Sequence, residues 1–166
     1  HIIEASAKLT ANRPMHLHWL AAPVFPAPQF SDEMIDFAGR WRGEFQMNRT
    51  PCSAGIRYRE NRTGRTGHDH FPGRIVPCRG VTNAQDEVYA FHYAWSGGHR
   101  MIAEDLPDGR RQIQFGHATR VEPQPRTEFE TGKLNAVYSD DGLNSCAVAL
   151  RHQLRDRVVQ FPDSDR

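Results

Sequence analysis

The feature that most constrains this chain is a series of short alternating segments that begins at Trp41 and is interrupted by turn signals. The candidate strands are Trp41–Asn48, Gly55–Glu60, Arg74–Val81, Glu87–Trp95, Arg100–Asp105, Arg110–Val121, Thr127–Thr131, Lys133–Ser139 and Ser145–Phe161. Glycine, asparagine and aspartate mark the turns between them, and no helical block long enough for a parallel crossover intervenes. The pattern therefore predicts an all-β, antiparallel meander.

Alternation within the segments indicates which side chains share a face, because successive side chains of a strand point to opposite sides. In the segment Glu87–Trp95, one face carries Val88, Ala90, His92 and Ala94, and the other carries Tyr89, Phe91, Tyr93 and Trp95. His117 is expected to share a face with Ile113, Phe115, Thr119 and Val121. In the segment Gly55–Glu60, Ile56 and Tyr58 oppose Arg57 and Arg59.

A meander without covering helices leaves unpaired sheet edges, and closure into a barrel removes them. A barrel of about eight strands has an interior large enough for side chains or one small ligand. We therefore expect residues 35–166 to form an antiparallel up-and-down β-barrel of about eight strands. A two-sheet sandwich, which lacks such a cavity, is the structural alternative.

Residues 1–34 differ from the rest, because Pro23, Pro26 and Pro28 fall within six residues. Proline cannot donate a backbone hydrogen bond, so this piece should be an extended arm. A short helix is expected before it, around Glu4–Ala11. Ser31-Asp32-Glu33 is typical of a helix N-cap and predicts a single turn through Phe37. The expected organisation is thus an N-terminal proline-rich arm, residues 1–34, followed by the barrel domain.

Charge and hydropathy exclude some classes of partner. The formal net charge is +1, so no nucleic-acid or membrane partner is predicted, and no stretch approaches the ~18 apolar residues of a spanning helix. Between Arg40 and Arg79, however, nine arginines stand against three acidic residues. This segment is either a solvated face or a surface for an acidic partner. A homodimer is left open.

The cysteines bear on the compartment. There are three, Cys52, Cys78 and Cys146, with no CxxC pair, which disfavours a thiolate zinc site. The odd number favours a reducing compartment, so we expect a cytoplasmic protein. Secretion stays open, because Cys52 and Cys78 could pair, and because the sequons Asn48-Arg49-Thr50 and Asn61-Arg62-Thr63 fit a secreted protein.

The run Gly39-Arg40-Trp41-Arg42-Gly43-Glu44 resembles the G-x-W opening of the calycin superfamily, which includes the lipocalins, and within it the opening of the nitrobindins, haem-binding barrels. The resemblance implies that Trp41 plugs the closed end of the barrel. It also implies that an arginine of the last strand packs over this tryptophan, and Arg151, Arg155 and Arg157 are the candidates. A core tryptophan at the start of a strand is the alternative interpretation.

Further stretches are similar to the nitrobindins: Met101–Glu104 with Pro107-Asp108-Gly109, and Gly132-Lys133-Leu134. Carried over, the resemblance makes His152 the axial ligand of a haem iron, with Trp41 and Arg151 beside the cofactor. The expected function is then the binding of a small hydrophobic ligand, with haem as the named cofactor. Alternatively, His152 is a hydrogen-bonded core residue.

A second hypothesis is a cofactor-free barrel enzyme, a cyclase, isomerase or lyase acting on a hydrophobic small molecule. Such chemistry needs a buried titratable group beside a shaped apolar cavity. The candidates are His92 and His117 as general acid–base, with Tyr58 and Tyr93 as proton donors. The pairs His16/His18 and His68/His70 could each reach one metal from a strand, but Pro72-Gly73 breaks the second strand, so that pair is expected in an exposed loop.

Overall fold

The chain folds into two antiparallel sheets packed face to face, with one helix on the outer side of the larger sheet. The structure is a computed structural model that describes residues 1–53, 55–118 and 124–160. These residues form the strands β1 Ile2–Ala5, β2 Lys8–Met15, β3 Ala21–Ala27, β4 Glu33–Ala38, β5 Gln46–Pro51, β6 Gly55–Asn61, β7 Gly73–Pro77, β8 Val88–Ala94, β9 His99–Asp105, β10 Arg111–His117, β11 Arg126–Glu130 and β12 Lys133–Ser139. Helix α1, Gly142–Gln153, continues into a π-helical turn at Leu154–Val158.

The strand order shows a sandwich. The larger sheet has the order β1-β12-β8-β7-β4-β5 and the smaller sheet the order β3-β10-β9-β6, while β2 and β11 form a separate ribbon. Every pair in these sheets is antiparallel. Among the described residues the larger sheet ends at β1 and β5, and the smaller one at β3 and β6, so neither closes on itself. The prediction of antiparallel β structure is confirmed, and the predicted barrel is wrong.

The barrel is excluded physically because the space between the sheets is filled by the protein's own side chains. The larger sheet contributes Met34, Val76, Phe91, Tyr93, Leu134 and Ala136, and the smaller one Met101, Ala103, Ile113 and Phe115. A second cluster lies on the opposite face of the larger sheet, where Val88, Ala90 and Val137 pack with Cys146 of α1. The predicted alternation in β8 is therefore confirmed, with one face toward the smaller sheet and the other toward the helix.

Three local predictions are wrong. Strands β1 and β2 stand where a helix was expected around Glu4–Ala11, and β4 stands where a helical turn was expected after Ser31. The predicted last strand, Ser145–Phe161, is helix α1 and the turn after it, because Leu143, Cys146 and Leu150 recur at helical spacing and pack against the sheet. Phe161 and the end of the predicted strand Arg110–Val121 lie outside the described residues.

The proline-rich piece is extended, as proline geometry requires, and it forms β3. This strand pairs with β10 alone and so lies at the edge of the smaller sheet, where Pro23 and Pro26 do not interrupt a ladder on both sides. Strands β1 and β2 pair with β12 and β11. The three cysteines are free, and none of the described helices is long and apolar enough to cross a membrane.

The start of α1 is built into a loop that follows β7. The backbone N–H groups of Gly142, Leu143 and Asn144 donate to the carbonyls of Asp86, Thr82 and Asn83, at 3.0, 3.1 and 3.0 Å. These bonds satisfy donors that a helix N-terminus otherwise leaves without partners. Gly142 has a φ of +74°, and a Cβ there would stand 2.6 Å from backbone atoms of Gln85 and Thr82. Only glycine fits this position, so Gly142 fixes where α1 meets the loop.

We expect the substitution Gly142→Ala to lower the free energy of unfolding by about 2 kcal/mol or more, since strained φ and backbone overlap act together. Denaturant unfolding measures this loss. The matched control is Gly109→Ala, at a φ of +83° with open space around the added methyl group. It should cost about 1 kcal/mol, from backbone strain alone. Equal losses for the two variants would show that the contact with the loop does not hold the helix.

Candidate functional site

A groove of about 520 Å³ runs between the outer face of the larger sheet and α1. We call it the helix-side groove. Its floor includes Ala90 and Ala94 of β8, and its wall includes Leu143, Ala147 and Leu150 of the helix. The wall continues along Leu154 and Val158 of the π-helical turn. The small floor residues leave the space that the sequence indicated, but this space lies outside the sandwich and not within a barrel.

His92 lies on the floor of this groove. Its ring stacks on Phe71, with centroids 5.5 Å apart and planes 20° from parallel. Burial lowers the pKa of His92, so the imidazole is neutral at pH 7. Asn135 stands directly across from it on β12, and the Asn135 side-chain oxygen is buried without a hydrogen-bond partner. The groove thus presents a largely apolar surface with a few polar groups, which are His92, Asn135, Gln153, Arg74 and Arg151, and no carboxylate among its lining residues.

The other residues predicted for acid–base chemistry lie elsewhere. His117 is at the end of β10 in the smaller sheet and stacks on Trp95, with ring centroids 4.0 Å apart. Tyr93 is buried between the sheets, where its hydroxyl oxygen accepts a hydrogen bond from the Gly132 N–H at 2.9 Å. Burial raises the pKa of Tyr93 to about 12, which suits a packing residue. Tyr58 is 65% exposed on the outer face of β6, with the Arg100 guanidinium 5.5 Å from its ring centre.

The residues assigned to haem are not arranged around a common interior. Trp41 is 81% exposed in the loop between β4 and β5. Gly39 makes a tight turn in this loop, where a Cβ would overlap the Gly43 carbonyl. Arg151 and His152 lie in the last turn of α1, and His152 is exposed. The helix, which replaces the predicted last strand, carries them on the outside of the sandwich. The described residues contain no cluster of histidine, cysteine and carboxylate side chains able to hold a metal ion.

A second concavity, of about 420 Å³, opens between the edge strand β6 of the smaller sheet and the strands β4, β5 and β7 of the larger one. We call it the arginine mouth, and its charged lining residues are Asp36, Arg57, Arg59 and Arg74. Arg59 pairs with Asp36 and also contacts Nδ1 of His70, at 3.1 Å. Arg74 stands 3.7 Å from the Asp36 carboxylate. Burial, helped by Arg59, lowers the pKa of His70, which favours a neutral imidazole that accepts from Arg59.

Sequence reasoning missed this cluster for two reasons. Asp36 was placed in a helical turn, so its position on a strand face was not seen. The alternation of Ile56 and Tyr58 with Arg57 and Arg59 was seen, but Tyr58 was expected to point inward. The arginines point inward instead, opposite the buried Met101 and Ala103 of β9 in the strand register, and the apolar pair points outward. The paired arginines were the available signal.

His99 closes the same end of the sandwich. It begins β9, is 1% exposed, and has a ring nitrogen, Nδ1, that is buried without a hydrogen-bond partner. Burial lowers the pKa of His99 to about 4, and the positive charge of Arg59 acts in the same direction. A backbone hydrogen bond to Gly97 opposes this shift. His99 is therefore a core residue that is neutral at pH 7.

A two-sheet antiparallel sandwich with a helix on one outer face defines the class of the fold, and comparisons with known proteins define the family. Residues 1–122 match the family described as the glycosyl hydrolase family 36 N-terminal domain. The chain is 38% identical over 145 residues to an α-galactosidase of Escherichia coli, and 27% identical over 149 residues to the α-galactosidase AgaA of Geobacillus stearothermophilus. Each match covers 86% of this chain and 20% of the relative.

Solved structures agree on the fold. The galactosidase domain of the α-galactosidase–sucrose kinase AgaSK superposes with a TM-score of 0.89 over 99% of this chain and 24% of its own, at 20% identity. The crystal structure of AgaA gives a TM-score of 0.75 over 86% of this chain and 21% of its own, at 26% identity. This chain belongs to the glycosyl hydrolase family 36 N-terminal domain family. It spans about a fifth of the length of the curated relatives it matches.

Family membership corrects the functional expectations. The calycin and nitrobindin resemblance is wrong, because the matching family and structures are those of α-galactosidases. Binding of haem or another small hydrophobic ligand is wrong for the same reason, and so is the cyclase, isomerase or lyase hypothesis. The G-x-W run does not open a barrel here, since its tryptophan lies in an exposed loop. A cytoplasmic location and a homodimer stay predictions.

We expect acid to weaken the fold through His99. Its pKa is lower in the folded chain, about 4, than the unfolded value of 6.5, so the unfolded chain binds more protons between these values. Stability contributed by the neutral imidazole is complete above pH 6.5 and falls by roughly 3 kcal/mol as the pH drops toward 4. Urea unfolding at several pH values measures the slope.

The variant His99→Gln should flatten this dependence, since glutamine does not titrate. The control is His152→Gln, the same substitution at an exposed histidine in the last turn of α1. A slope between pH 4 and 6.5 that is the same for His99→Gln as for the unsubstituted protein would contradict the assignment.

Proposed function

We propose that this chain is the N-terminal β-sandwich module of an α-galactosidase, and that it supports the catalytic part of the enzyme by packing against it. Support comes from the relatives, which are α-galactosidases about five times as long as the stretch they share with this chain. A family described as an N-terminal domain also implies that most of such an enzyme follows it in sequence. The proposal assigns glycosidic cleavage to that larger part.

The chemistry of the two concavities favours a supporting role. Cleavage of a glycosidic bond uses two carboxyl groups on either side of the scissile bond, about 5–9.5 Å apart. The helix-side groove has no carboxylate in its lining, and the arginine mouth has one, Asp36, which is engaged by Arg59 and Arg74. Neither can supply both the acid and the second carboxylate, so we assign neither to catalysis.

The observation that carries the proposal is the apolar character of the helix-side groove at its open end. Leu154 and Val158 are 53% and 63% exposed, and Val159 beside them is also exposed. Together with Leu150 and Ala147 they extend the apolar wall of the groove toward the surface. Exposed apolar side chains grouped along one groove favour a protein interface, since burying them removes apolar area from water. We assign that interface to the catalytic part.

The test is made in the full-length α-galactosidase that carries this domain. We expect the double variant Leu154→Asp, Val158→Asp to lower the thermal unfolding midpoint. It should also lower the rate of hydrolysis of a p-nitrophenyl α-galactoside several-fold. Two carboxylates would be forced into a buried apolar contact, at a cost of about 2–4 kcal/mol. Activity and scanning calorimetry report the two effects.

The control is Val24→Asp, which places one carboxylate at an exposed valine of the edge strand β3, outside the groove. It should leave activity and the unfolding midpoint close to those of the unsubstituted enzyme. If the double variant instead matched this control in both measurements, the groove would be open to solvent in the enzyme and the proposed interface would be refuted.

A further inference from the structure

The arginine mouth is built from charges that do not balance. Strand β6 places Arg57 and Arg59 on the face that looks toward the sandwich interior, and β7 adds Arg74. Asp36 of β4 is the one carboxylate in the lining of the cavity. Charged side chains are seldom buried without a partner of opposite charge. Three guanidinium groups around a single carboxylate therefore leave positive charge directed at the cavity.

Arg74 is the group with the poorest set of partners. It is 4% exposed, and Asp36 beside it is 6% exposed. Its ion pair with Asp36 is long, at 3.7 Å, and its other contact is the thioether sulfur of Met34, also at 3.7 Å. The Arg74 Nε–H is buried and has no hydrogen-bond acceptor. A buried guanidinium has five N–H donors, and one distant carboxylate does not satisfy them.

The other two arginines do not relieve this imbalance. Arg59 makes the closer pair with Asp36, through the other carboxylate oxygen, so one negative charge is shared between Arg59 and Arg74. Arg57 donates to the Pro51 carbonyl and the Ser53 hydroxyl, both neutral acceptors. Burial is the main cause that lowers the pKa of Arg74. The charges of Arg59 and Arg57 lower it further, whereas the charge of Asp36 raises it. The three arginines thus repel one another across a cavity of about 420 Å³.

We propose that the arginine mouth binds an oxyanion, a phosphate or a carboxylate group, between Arg57 and Arg74. Planar guanidinium groups bind such anions through two parallel N–H···O bonds. A bound anion would supply the acceptor oxygens that the Arg74 N–H groups lack. The Thr50 side chain, which also lines the cavity, adds a hydroxyl donor. The anion comes either as free phosphate or as the carboxylate of an acidic sugar. Arg74 also lines the helix-side groove, whereas Arg57 lines the arginine mouth and not that groove, so the Arg57 variant tests this site independently of the role proposed for the groove.

The experiment uses the full-length enzyme that carries this domain. Thermal unfolding is followed with increasing sodium phosphate or sodium galacturonate, with sodium chloride added to hold the ionic strength constant and galactose as the neutral counterpart. We expect a midpoint that rises and saturates at millimolar concentrations of one or both anions. A response to phosphate alone assigns the site to free phosphate, and a response to galacturonate but not to galactose assigns it to an acidic sugar.

Variants locate the site. Arg57→Gln alters the rim of the cavity and leaves the Arg59–Asp36 pair in place, so it should fold and weaken anion affinity about tenfold. Arg74→Met should abolish the anion response, if that variant folds. The matched control is Arg49→Gln, which removes an arginine of β5 that pairs with Glu33 outside the cavity. Its unfolding midpoint should respond to the anions as that of the unsubstituted enzyme does.

Two results would overturn the proposal. One is the absence of any midpoint rise beyond that seen with chloride. The other is an anion response that is unchanged in Arg57→Gln, which would place the bound anion elsewhere in the enzyme. Neither result bears on the groove variants, whose readout is activity without added anion.

Discussion

Burial of both faces of strand β8 is the constraint on which the rest of the structure depends. On one face, Phe91 lies between Phe25 and Phe115, with ring centroids 5.6 and 6.1 Å away. On the other, Val88 and Ala90 pack with α1. Removal of a buried phenylalanine costs about 3–5 kcal/mol, whereas an exposed ion pair contributes about 0–1 kcal/mol. Packing around β8 therefore determines the arrangement of layers, and surface ion pairs such as Lys8–Glu128 add little.

The two concavities follow from that arrangement. Because β8 and β12 form the centre of the contact with α1, the groove appears where small floor residues, Ala90 and Ala94, meet the end of the helix. The arginine mouth lies at the edges of the two sheets, beside the edge strands β5 and β6. The aromatic side chains of the core do not extend to this edge. Arginines of β6 and β7 occupy the interior face there, beside Met34 of β4.

The sequence predicted the strands correctly where apolar and polar side chains alternate with a period of two residues. β12 was predicted with its observed bounds, Lys133–Ser139, and the two faces of β8 were assigned correctly. The sheet arrangement was not recoverable in this way, since alternation is the same in a barrel and in a sandwich. Helix α1 was missed because Ser145–Phe161 was taken as a continuation of the strand series, although Leu143, Cys146 and Leu150 have helical spacing.

The candidate sites were recovered only in part. His92 and its small neighbours Ala90 and Ala94 share a strand face, as their spacing predicted, but they line a groove outside the sandwich and not the expected interior of a barrel. The arginine mouth was not predicted, because it joins Asp36, Arg59 and Arg74 from three strands whose proximity depends on the sheet order β7-β4-β5 and on the facing sheet. A resemblance carried by the run Gly39–Glu44 and a few short stretches elsewhere led to the wrong family.

The central claim is that the groove side of this domain is covered by the catalytic part of the enzyme, and hydrogen–deuterium exchange of the full-length protein tests it most directly. The amides of residues 151–160 belong to an exposed helix end here, and uncovered they would exchange as quickly as the turn around Gly109. The account predicts protection of these amides approaching that of β8 and β12. Exchange as fast as that of the Gly109 turn would contradict it.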